Sequence, residues 1–97
     1  MTIAKLVGSI HRMPPWAKII DEDKHTLGVL HVDFINQEIN LVSTPYETYE
    51  DFNICIDTLI FFGKNSHFRN GLVRVNNSFV KDFKIDKHLR ALMLIGA

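Results

Sequence analysis

The sequence holds one cysteine, one tryptophan, three prolines and five glycines in 97 residues, and its formal charges cancel to zero. Each scarcity excludes something. A single thiol, Cys55, cannot close an internal disulfide, so stability must come from a packed core, and the chain fits a reducing cytoplasm. With so little proline and glycine there is no low-complexity tract or interdomain linker, and no internal repeat is visible. The apolar runs, residues 59–62 and 91–95 among them, are too short to cross a bilayer, so no membrane segment is expected. Near the start, Leu6, Val7 and Ile10 are interrupted by Gly8, Ser9 and His11, which is not the unbroken apolar stretch of a cleavable signal.

Catalytic spacing is also lacking. His11, His25, His31, His67 and His88 are scattered without a CxxC or HExxH pattern, so neither a metal nor a cofactor is expected. Cys55 stands between Ile54 and Ile56, the setting of a small buried hydrophobe rather than of an activated nucleophile. No carboxylate pair has a glycosidase-like or metal-dependent pattern. The expectation is a protein that binds rather than an enzyme.

What is present is the composition of a folded domain, 46% apolar and 23% charged, spread over residues 1–97. The zero net charge conceals a division. Residues 1–63 carry nine acids against four bases, a net of −5, and residues 64–97 carry seven bases against two acids, a net of +5. Such a dipole steers encounters with charged partners.

Taken in order, Ile3, Leu6, Val7 and Ile10 recur at helical spacing and point to a short helix over residues 2–11, ended before Pro14-Pro15, with a strand as the alternative that Gly8 and Ser9 leave open. Residues 16–20, 27–33 and 38–42 read as strands separated by the polar turn Asp21-Glu22-Asp23-Lys24 and by a turn at residues 34–37. Three consecutive strands predict an antiparallel meander. Thr44-Pro45-Tyr46-Glu47 has the chemistry of a helix start, with a Thr cap, Pro at the first position and a carboxylate closing the capping box. That helix is expected over residues 45–62, stopped by Gly63, with Tyr49, Phe52, Ile56, Leu59 and Ile60 on its buried face. Residues 68–75 are open between a fourth strand and part of a helix. Asp86 is expected to cap a last helix through Leu89, Leu92, Met93 and Ile95. The expected fold is α+β, a small antiparallel sheet of three to four strands packed against two or three helices.

The opposite face of the central helix carries Glu47, Glu50, Asp51 and Asp57 with no basic residue at i+4 after the first three, and Ile54 and Phe61 lie towards it. Apolar anchors among steering charges suit protein recognition. If Asp21, Glu22 and Asp23 lie beside this face, the carboxylates can imitate nucleic-acid phosphates. The basic third offers the alternative: Phe68, Phe79 and Phe83 among Lys64, Arg69, Arg74, Lys81, Lys84 and Lys87, a set able to meet phosphates and stack on bases. The neutral total argues against direct nucleic-acid binding.

On Asp21, Glu22, Asp23, Glu47, Glu50, Asp51 and Asp57, and on its short single-domain length, the chain resembles the type I-F anti-CRISPR proteins of phages. The resemblance implies a monomeric, cytoplasmic inhibitor in a bacterial host. Its protein partner would be the basic DNA-binding surface of a Cas surveillance complex, blocked by a DNA-mimicking helix face that includes Ile54. An immunity or adaptor protein masking a basic nuclease site would use the same residues.

Overall fold

The computed structural model describes residues 1–43 and 54–97. Among the described residues eight elements follow one another: α1 (Ile3–Ile10), β1 (Lys18–Ile20), β2 (Leu27–Asp33), β3 (Glu38–Ser43), α2 (Ile56–Lys64), β4 (Val73–Val75), β5 (Ser78–Asp86) and β6 (Ala91–Gly96). The class is α+β, as expected. The sheet has six strands rather than three or four, in the order β1-β6-β5-β4-β3-β2, and it is mixed. β1 runs parallel to β6 and β3 parallel to β4, whereas β2–β3, β4–β5 and β5–β6 are antiparallel.

The N-terminal helix forms where its spacing places it. Thr2 caps it by accepting the Lys5 N–H on its hydroxyl oxygen at 3.2 Å, and Ile3, Leu6 and Ile10 make the buried stripe. The β2–β3 hairpin also matches the pattern, with Ile39 and Leu41 turned into the core on alternate positions. The meander does not. β1 and β2 are neighbours in sequence but stand at opposite ends of the strand order, because β1 finds its partner in β6. A bridge between Ile20 and Thr26, with the Asp21 N–H donating to the His25 carbonyl at 3.0 Å, joins the two ends, so the sheet curls upon itself.

Two helix expectations are corrected. Residues expected to form a last helix make β6, which is hydrogen-bonded on both sides and buries Ala91, Leu92 and Leu94. A strand enclosed by neighbours on both edges can carry a continuous apolar run, and such a run does not distinguish strand from buried helix. Asp86 does accept an N–H three residues on, from Leu89 at 2.9 Å, but it closes a turn in which Arg90 adopts φ 51° and sends the chain back. An unbroken helix over residues 45–62 is likewise not formed. Its start, Thr44-Pro45-Tyr46-Glu47, lies outside the described residues, while Cys55 is extended, bridges Lys18 and precedes a helix that begins at Ile56. The Ile54 N–H donates to the Leu27 carbonyl at 3.3 Å, so pairing with the sheet overrides helical propensity there. Gly63 does not stop α2, which continues to Lys64. It lies inside the helix, where a Cβ would come within 2.7 Å of the Val7 side chain, and so permits the close approach of α1 and α2.

Between β4 and β5, Asn76 and Asn77 have φ 47° and 71°, the left-handed pair that a two-residue type I′ hairpin requires. One core joins Ile3 and Leu6 of α1 with Ile56 and Leu59 of α2 and with residues of every strand. No described helix is long and apolar enough to cross a membrane.

Candidate binding groove

The acidic residues singled out from sequence do not converge among the described residues. Asp21 is buried at 6% exposure. One of its carboxylate oxygens accepts the N–H groups of Asp23 and His25 at 3.0 and 2.9 Å, and the other accepts the Asn76 side-chain amide at 3.1 Å. These are the bonds of an Asx turn that shapes the β1–β2 connection, so the carboxylate serves the fold. Glu22 is exposed and accepts the Gly96 N–H at 3.0 Å, and Asp23 is exposed. Asp57 is exposed in the first turn of α2, where acid is favoured by the helix dipole. Its N–H donates to the Pro15 carbonyl, ahead of β1, whereas Asp21, Glu22 and Asp23 follow β1; the two groups therefore sit at opposite ends of that strand. Ile54, expected on the binding face, is 8% exposed and belongs to the core. Glu47, Glu50 and Asp51 lie outside the described residues. Asp21, Asp23 and His25 bring ligand-type atoms within 4.8 Å of one another, but both Asp21 oxygens already accept N–H donors.

The basic third is also redistributed. Phe68 is 3% exposed, ringed by His67, Phe62 and Phe34 at centroid distances of 5.0, 5.2 and 5.3 Å, so no base can reach its face. Phe79 is covered by the Arg74 guanidinium at 3.9 Å, and Arg74 is itself paired with Glu38 at 2.9 Å. Phe83 packs against the core. Lys64, Arg69, Lys81, Lys84 and Lys87 are exposed.

Lys87 instead meets residues from the acidic half. The segment leaving α1 passes the end of β5 and the β5–β6 turn, and between them lies an open groove of about 470 Å³. Arg12, Lys87 and Arg90 supply its cations, and Met13, Trp16 and Ile85 its apolar wall. The local sequence dictates this presentation. The first two backbone donors of α2 have no intrahelical partner, and they bond to the carbonyls on either side of Trp16: Ile56 N–H to Ala17 and Asp57 N–H to Pro15, both at 3.0 Å. The Ala17 N–H in turn donates to the Pro14 carbonyl at 3.0 Å. Ala17 is thereby buried and the indole of Trp16 is held outward at 61% exposure.

Charge in the groove is of one sign. Among the described residues no carboxylate lines it, and the nearby Asp86 spends an oxygen on the Leu89 N–H within the turn. The Ser9 hydroxyl, which also lines the groove, donates to the Lys5 carbonyl at 3.0 Å. The arrangement offers cations, a flat aromatic face and aliphatic walls, which is binding chemistry. In the sequence Trp16 falls in an expected strand, Arg12 in the acidic half and Arg90 among the bases of the last third, and the signal that marks the site is a lone tryptophan after Pro14-Pro15, close to Arg12. Comparison with protein-family models, with curated proteins and with solved structures finds no match to this chain.

Proposed function

We propose that this protein is a non-enzymatic binding protein that engages a polyanion through the Trp16 groove. The convergence of Arg12, Lys87 and Arg90 on a concave site that no carboxylate of the described residues lines carries the reading. Like charges held together repel one another, and an anionic partner relieves that repulsion while adding attraction. Retention on immobilised heparin tests it. The wild-type chain should bind at low salt and elute as salt rises, and the triple variant Arg12→Ala, Lys87→Ala, Arg90→Ala should elute markedly earlier. Equal elution of a folded triple variant refutes the groove as the working surface.

A second reading is supported by α2, where Asp57 and, one turn later, Phe61 at 64% exposure place a carboxylate beside an apolar anchor on the outer face. In that reading the chain is a phage-type inhibitor whose acidic face, with Glu47, Glu50 and Asp51, competes with target DNA for the basic surface of a Cas complex. Asp57→Lys combined with Phe61→Ala should then abolish capture of that complex from bacterial extract. Capture undiminished by the double substitution removes this reading and leaves the groove untouched.

A further inference from the structure

We propose that the polyanion is single-stranded nucleic acid, with a base stacked on the Trp16 indole and the flanking phosphates met by Arg12, Lys87 and Arg90. This rests on the groove being the working surface and adds what occupies it.

Charge alone does not account for the lining. Polyphosphate offers an indole no surface to pack on, and a sulfated sugar offers only the edge-on C–H groups of a puckered ring, not a flat π face. Here the indole stands 61% exposed with Ile85 at 49% beside it, an apolar wall kept in water by a backbone bonded at both flanking carbonyls. A nucleobase has both properties such a wall selects, a flat π face and a charged backbone on either side. Arginine contributes twice, to phosphates as a donor fork and to bases as a stacking plane.

Other classes of partner fit less well. In a duplex the base faces are stacked on one another, and a protein reads base edges by inserting a helix or ribbon into a groove; this site is itself concave and receives rather than inserts. A membrane surface takes apolar groups that protrude from the protein, whereas Trp16 lines a wall. An acidic peptide satisfies the cations but supplies a ring only at particular positions, while every nucleotide of a strand brings one. The volume of about 470 Å³ lies within the range of small-ligand sites, and the groove is open to solvent, so a bound nucleotide need not be the end of a strand.

The full chain reports on its own site, because Trp16 is its one tryptophan. Titration with a short fluorescent oligothymidylate should quench indole emission and raise oligonucleotide anisotropy with the same midpoint. The logarithm of affinity should fall with the logarithm of salt at a slope of about −2, since each of three phosphate contacts contributes about −0.7 on single strands. Trp16→Ala should weaken oligothymidylate binding by roughly 10- to 100-fold, and Trp16→Phe should recover part of the loss. Because the indole is exposed, both variants should fold, which circular dichroism checks. Binding without quenching, or unchanged binding by Trp16→Ala, overturns the stacking, as does equal or tighter binding of a duplex or of polyglutamate. The groove reading survives any of these. Failure of both oligothymidylate and heparin to bind at low salt overturns the two together.

Discussion

Asp33 shows how much one carboxylate can organise. Its oxygens accept the Asn36 backbone N–H at 3.0 Å, the Asn36 side-chain amide at 2.8 Å and the Ile35 N–H at 3.1 Å. The Asn36 backbone bond is the foremost cause holding the acid below the ordinary 3.8; the Asn36 amide, the Ile35 N–H and the Arg74 charge act in the same direction. A depressed folded-state value means that the charged group stabilises the turn fully above the ordinary value, and that this contribution drains away as pH falls through the lower, folded one. The Asp33 carboxyl carbon should therefore titrate below 3.8 by NMR, and Asp33→Asn should lose its share of stability at neutral pH while matching the wild type in strong acid. Gly71 is constrained in a different way. A Cβ there would lie 1.5 Å from the Gln37 carbonyl oxygen, so Gly71→Ala must displace backbone, and urea denaturation should show a loss of about 3 kcal/mol.

Among the elements, the β4–β5 hairpin does more than reverse the chain. The Asn76 side chain accepts the Ser43 N–H at 2.8 Å and donates to Asp21 at 3.1 Å, while its own N–H donates to the Leu41 carbonyl at 2.8 Å. One turn residue thus ties β3, the β1–β2 turn and the hairpin together. Asn76→Ala should cost about 2–3 kcal/mol in urea denaturation, from the left-handed backbone and from two partners left unsatisfied. Asn76→Asp keeps the backbone tolerance but sets a carboxylate against Asp21, so its deficit should shrink as pH is lowered towards 4, where carboxylates begin to protonate. The elements also show what the sequence made legible. α1, β2 and β3 were readable because local periodicity and turns decide them. β6 and the start of α2 were not, since an apolar run enclosed by β1 and β5, and a backbone paired to Lys18 and Leu27, are settled by residues far along the chain. The candidate groove was hidden for the same reason. Its cations are numbered 12, 87 and 90, and only the fold makes them neighbours.

At the scale of the molecule, the described residues of the −5 and +5 halves interleave. β1, from the acidic half, pairs with β6 from the basic half, and Arg12 crosses to join Lys87 and Arg90. Electrostatics in this protein is a matter of tertiary neighbours, and retention on a cation exchanger should respond more to Arg12→Ala than to Lys5→Ala, although each removes one charge. The comparison is simple because both residues are exposed.

The pairing of Lys18, Ile19 and Ile20 with Ala91, Leu92 and Met93 has a temporal consequence. During synthesis β1 emerges early but has no neighbour on its β6 side until nearly the whole domain has been made, and the Met1 amine waits likewise for the Val80 carbonyl, 79 residues away. Contacts of such long range slow folding because loop closure must precede the reward. Nascent chains arrested before residue 91 should remain protease-sensitive throughout, including α1 and β2, and acquire resistance in a single step once β6 is exposed.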